Sequence, residues 1–150
     1  MPKLDPQSEL TTSLVRVARL YRQGVDEALS GLGLSDALAL PVVLLGRRPE
    51  GLRQNALADH LGVEGPSLVR LLDRLVEAGL VERREDPADR RAKIVKLTDE
   101  GRRHSERASR ALDDYRASLL KGASADDIEA NLRLLRAMEE RLAARRAGRP

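Results

Sequence analysis

Ser67, Arg70, Arg74 and Glu77 recur at i, i+3, i+7 and i+10, so on a helix they share one face. A second group of cations, Arg83, Arg84, Arg90, Arg91 and Lys93, crowds the stretch that follows, against Glu85, Asp86 and Asp89. The planar guanidinium fork matches phosphate oxygens and the guanine edge bidentately. Arginines one turn into a helix can therefore reach base edges in a major groove, and arginines on a narrow loop can enter a minor groove. The plainer alternative for either group is a solvated charged surface. Asp89 adjoins Arg90 and Arg91; facing phosphate it would cost affinity, so it is expected to pair with an arginine and set its direction.

The elements that must position these groups are legible from period and punctuation. Between Glu64 and Ala78, Leu68, Leu72, Leu75 and Val76 mark a buried face, Pro66 suits the first helical position, and Gly79 stops the helix. Its free N-terminal N–H groups, near Gly65 and Ser67, favour a phosphate. Before it, 52–61 predicts a short helix with Ala56, Leu57 and Leu61 buried, ended by Gly62; helix, short turn, helix is a helix-turn-helix. After it, 80–85 and 93–97 predict two strands, with Asp86-Pro87-Ala88-Asp89 as the turn between them. A β-hairpin beside the reading helix is a wing.

The flanks are helical as well. Leu10, Leu14, Val17, Tyr21, Val25 and Ala28 predict a long first helix over 7–29, with Pro6 and Ser8 as start signals and Gly31 and Gly33 as stops. Ser35 is a candidate cap for a second helix over 36–45, which Pro41 should kink or shift. Thr98, followed by Asp99 and Glu100, caps a fifth helix carrying Ala108, Ala111, Leu112, Tyr115 and Leu119. Ser124 with Asp127 resembles a capping box for a sixth helix carrying Ile128, Leu132, Leu135, Met138 and Leu142. The basic tail, 143–150, is expected to fray. The fold class is mainly α with a small β-hairpin wing, in one domain of 150 residues.

Composition removes several function classes. There is no cysteine, so no disulfide, thiolate zinc site or thiol redox sensor. His60 and His104 are the only histidines, lie on separate predicted helices and lack metal-ligand spacing. No catalytic residue, cofactor or metal is expected, and the chain does not read as an enzyme. Its 27 basic and 24 acidic residues leave a net charge of +3, which favours an anionic partner only weakly. No apolar run approaches the roughly 20 residues of a membrane span, and residues 1–10 lack a signal-peptide core. The expected protein is soluble and cytoplasmic.

Over Leu61 to Gly101, LGVEGPSLVRLLDRLVEAGLVERREDPADRRAKIVKLTDEG, the sequence resembles the MarR/SlyA family of bacterial winged-helix transcription regulators. DPADRRAKIVKLTDEG is similar to that family's wing signature, and PSLVRLLDRLVEAGLV to its recognition helix. The resemblance implies a homodimeric, sequence-specific regulator of pseudo-palindromic operators in double-stranded DNA, a repressor associated with the nucleoid. It implies a DNA-binding lobe over 34–98 and dimerisation helices over 7–32 and 99–146, with Leu10, Leu14, Val17, Ile128, Leu132, Leu135 and Leu142 in the dimer contact. Carried over by position, Pro66, Ser67, Arg70 and Arg74 would face the major groove, Arg91 would enter the minor groove, Arg90 would lie on the backbone with Arg84 and Lys93 nearby, and Asp89 would orient the wing. Many members of the family bind small aromatic carboxylates between the two regions. Arg16, Arg19, Tyr21 and Ser35 lie in the corresponding part of this chain as candidates. The rival reading is a winged helix without operator specificity, either an architectural DNA-binding protein or a protein-interaction module.

Overall fold

The computed structural model describes residues 5–33 and 35–148. Residues 1–4, which belong to the segment lacking a signal-peptide core, lie outside the described residues, as do Leu34 and the last two residues of the basic tail. Among the described residues six α-helices and three strands follow in order, with a 3-10 turn over Ser30–Leu32 between the first two helices: α1 (Pro6–Leu29), α2 (Asp36–Gly46), β1 (Leu52–Arg53), α3 (Gln54–Leu61), α4 (Gly65–Glu77), β2 (Val81–Asp86), β3 (Asp89–Leu97), α5 (Asp99–Leu119) and α6 (Ala125–Ala147). They form two compact units, one up to Tyr115 and one from Arg116 onward.

In the first unit the core is aliphatic. Val25 and Leu29 of α1, Val42 and Leu45 of α2, Leu57 of α3, Leu68, Leu72 and Leu75 of α4, Val95 and Leu97 of β3, and Ala108 and Leu112 of α5 are all buried. Each helix contributes the residues that its 3.6-residue period brings to one side. Val76 is 40 % exposed rather than buried, because 100° per residue places it about 80° round from Leu68. On α3 the buried pair is Leu57 and Ala58; Ala56 and Leu61 are half-buried.

The helix boundaries follow local chemistry, with corrections to the expectations above. α1 starts at Pro6, and its cap is Asp5 rather than Ser8: the carboxylate accepts from the N–H groups of Gln7 and Ser8, both at 3.2 Å. Pro41 neither breaks α2 nor shifts its start. It lies fully buried inside the helix, so its core packing offsets the missing N–H. Ser35 occupies the N-cap of α2 but makes no side-chain capping bond. Leu52 and Arg53, expected in α3, are a strand. Leu52 pairs with Val95 and Arg53 with Ile94, and Gly51 permits this because its left-handed backbone (φ 85°) lies against the Val95 carbonyl, where a Cβ would clash.

The sheet is antiparallel in the order β1-β3-β2. Val81 faces Leu97 and Glu85 faces Lys93, but Asp86 faces Asp89, so Arg90, Arg91 and Ala92 have no ladder partner on β2. The hairpin turn is thus only Pro87-Ala88, and Asp89, Arg90 and Arg91 belong to β3 rather than to the turn. Thr98 caps α5 through Gly101 N (3.0 Å) and also donates to the Gly79 carbonyl (2.6 Å), tying the end of the reading helix to the next one.

The second unit is the end of α5, a turn through Gly122 and α6. Ser124 accepts from Asp127 N at 3.1 Å, the first half of a capping box, but the Asp127 carboxylate accepts from the Ser124 hydroxyl at 2.6 Å rather than from the Ser124 backbone N–H that would complete the motif. Ile128, Leu132, Leu135 and Leu142 are all exposed along α6. The helix persists to Ala147, through the first five residues of the tail expected to fray.

Candidate nucleic-acid interface

α4 presents Pro66, Ser67, Arg70 and Arg74 to solvent while its leucines fill the core. Glu64, at the N-cap, makes no side-chain capping bond, so its carboxylate leaves the first N–H groups of the helix open. Among the described residues neither Arg70 nor Arg74 has an ion-pair partner. Both charges are therefore uncompensated on a rigid helix.

The wing cations are held differently. Arg84 pairs with Glu82 at 2.8 Å and Lys93 with Glu85 at 3.4 Å. Arg83 pairs with Asp73 of α4, so an ion pair links the first wing strand directly to the reading helix. Arg90 is exposed and has no ion-pair partner among the described residues. Asp89 Oδ1 accepts from Arg91 N at 3.0 Å and lies 3.5 Å from Arg91 Nε, while the Arg91 side chain is 95 % exposed. The carboxylate grips the root of the arginine and leaves the tip of its fork free. A groove of about 330 Å³ runs between the start of α3 and β3, lined by Gln54, Asn55, Asp89, Arg91, Ala92 and Lys93.

Sequence reasoning missed two contacts at this site, Arg83 with Asp73 and a second one at the wing turn. Asp86 accepts from Arg53 Nε at 2.6 Å and from Ala88 N at 2.8 Å. The Ala88 N–H and then the Arg53 guanidinium hold its carboxyl below the ordinary carboxylate range, against the opposing effect of desolvation. The only sequence signal was an aspartate preceding Pro87 in a turn, which gives no hint of a partner 33 positions away.

The candidate effector residues are not brought together. Arg16 and Arg19 line an open groove on α1 with Thr11, Thr12 and Val15. Tyr21 lies on another side of that helix, its ring 5.7 Å from that of Tyr115. Ser35 is at the start of α2, its carbonyl accepting from Leu38 and Ala39. The reason is angular: five residues along a helix turn Tyr21 about 140° away from Arg16. Among the described residues there is no cluster of three histidine, aspartate or glutamate side chains fit to hold a metal, and no single helix is long and apolar enough to cross a membrane.

Against known proteins, a family model described as MarR family matches residues 32–92. The crystal structure of the transcriptional regulator PA3341 is 33 % identical, with a TM-score of 0.82, over 90 % of this chain and 98 % of that one. The chain belongs to the MarR family. It is a winged-helix protein of the kind found among transcription regulators, with the small sheet as its wing. A MarR-family regulator from Rhodococcus sp. RHA1 is 28 % identical over 91 % of this chain and 96 % of its own, with a TM-score of 0.78. CouR from Rhodococcus jostii RHA1, solved bound to p-coumaroyl-CoA, is 26 % identical over 91 % and 95 %, with a TM-score of 0.80.

Proposed function

We propose that this MarR-family chain is a homodimeric repressor in the bacterial cytoplasm, associated with the nucleoid, that binds a pseudo-palindromic operator and is released by a small ligand. The observation that carries the reading is the pairing of two probes. Ser67, Arg70 and Arg74 form an uncompensated face on α4, and beside it stands a wing whose Arg91 is gripped at its root and free at its tip. The helix suits the major groove and the wing the adjacent minor groove. Residues 34–98 form the DNA-binding lobe; 7–32 and 99–146 form the dimerisation region. In support of the dimer, exposed apolar side chains run along both flanking helices, Leu10 and Val17 on α1 and Ile128, Leu132, Leu135 and Leu142 on α6. One copy reads one half-site, and two-fold symmetry sets the half-site centres about 10 bp apart or a multiple of that.

The ligand is an aromatic acid or its thioester. CouR, with its bound p-coumaroyl-CoA, supports this class. Arg16, which donates to the Ser13 hydroxyl at 3.3 Å, and Arg19 are the cations on α1 available to an anionic group there. The deciding experiment is selection of bound genomic fragments, repeated with a panel of aromatic acids and acyl thioesters. The expected result is a single palindromic motif, with fewer fragments retained in the presence of one ligand class. Equal affinity for selected and random DNA, with the same salt slope, would favour an architectural protein instead.

A further inference from the structure

Asp86 closes a two-residue turn at the tip of the wing, a position normally solvated, yet it is only 5 % exposed. Both of its carboxylate oxygens are engaged: Oδ1 takes the Ala88 N–H of its own turn, and Oδ2 takes Arg53 Nε. Arg53 is on β1 and Asp86 on β2, and the sheet order places β3 between them. The ion pair therefore reaches across β3, where Arg90, Arg91 and Ala92 lack partners on β2. Arg53 is also the N-cap of α3, the first helix of the helix-turn-helix. One contact thus joins that motif to the wing turn across the segment that carries Arg91. The groove described above lies beside it: Gln54 follows Arg53, and Asp89 is the register partner of Asp86.

We propose that the Arg53–Asp86 pair positions the wing, fixing the reach and direction of Arg91 relative to α4, so that these two residues set the wing's affinity and flank preference for DNA. A segment without ladder bonds has conformational freedom that must be lost on binding; a cross-strand pair removes that freedom beforehand. The inference rests on the DNA-regulator reading and names two positioning residues for it. The depressed carboxyl pKa agrees with it, since Asp86 remains charged, and the pair intact, under ordinary binding conditions.

The test uses the full-length chain and the operator selected by the wild type. Asp86→Asn is expected to weaken binding roughly tenfold, the scale of one lost specific contact, and to erase the preference for A·T-rich flanks, while preference inside the half-site, set by Arg70, remains. Arg53→Gln should reproduce this from the other partner. Arg53→Lys, which keeps the charge but not the fork, should recover part of it. Because the pair acts through Arg91, adding Arg91→Ala to Asp86→Asn should bring little further loss. Thermal melting accompanies each measurement, and Arg53→Gln carries the test if Asp86→Asn does not fold. Retained flank preference, additivity with Arg91→Ala, or a loss uniform across all sequences that follows the fall in stability would each overturn the proposal. A wild type that prefers no sequence would overturn the regulator reading and this inference together.

Discussion

Arg70 and Arg91 carry the same group in opposite settings. Arg70 stands on a helix whose other face is locked in the core, with no carboxylate paired to it among the described residues, so its full charge and fork are available to one base pair. Arg70→Ala should cost about 1–3 kcal/mol of operator binding and relax preference at one position per half-site. Affinity measured for a set of single-base operator variants checks this, and uniform weakening would contradict it. Arg91 is anchored by Asp89 two residues away and reaches out from an extended strand. Arg91→Ala should leave half-site preference intact and lower discrimination between A·T-rich and G·C-rich flanks, read by the same assay on flank variants; an unchanged discrimination removes the minor-groove role. At this scale the sequence was informative wherever a contact is local. Asp89 beside Arg91 could be read from the string of residues; Asp73 with Arg83, and Asp86 with Arg53, could not, because only the fold brings them together.

Among the elements, those with a strong period were legible and those defined by long-range pairing were not. The three-leucine pattern of α4 and the Ser124 cap of α6 announce themselves locally. A two-residue strand such as β1 has no period at all; it exists because β3 offers it partners and Gly51 lets the chains approach. The same closeness governs the start of α5, where the Leu80 carbonyl lies against Gly101, so that a Cβ there would meet backbone. Gly101→Ala should therefore destabilise the protein by about 1–3 kcal/mol, the usual cost of overpacking, visible as a lowered melting temperature; an unchanged melt would show that the α4–β2 junction yields freely. The wing has its own pH signature. Since the folded Asp86 carboxyl is depressed, its stabilising contribution is fully present above the ordinary carboxylate range and is lost only as pH falls through the lower folded value. Titration of the Asp86 carboxyl carbon by NMR should give a midpoint below that of a free aspartate; a midpoint at or above it would mean that desolvation outweighs the Ala88 and Arg53 contacts.

For the whole molecule, a net charge of +3 is a small attraction for DNA, so the proposed operator binding would have to come from where the cations stand and from two copies of them. In the proposed dimer, doubling the reader would be the task of the flanking helices, whose sequence stripes gave the periodicity without revealing what covers it. On α6 the stripe is solvent-facing: Leu135 is 37 % exposed and Leu142 60 % exposed. Apolar rows of this length are costly to leave in water and gain most from a matching row, which a two-fold axis supplies from an identical chain. Leu14 of α1, half-buried, is a weaker probe because its loss also disturbs the chain itself. Leu135→Ala is the cleaner one. If its side chain is buried against a second copy, truncation should cost about 1–2 kcal/mol of association, roughly a tenfold rise in the dimer Kd. Light scattering across a dilution series should then show monomer at concentrations where the wild type remains paired. Operator affinity should fall with it toward that of a single half-site, while the Arg70-dependent base preference is retained. A variant that stays dimeric through the whole series would place the α6 stripe outside the dimer contact.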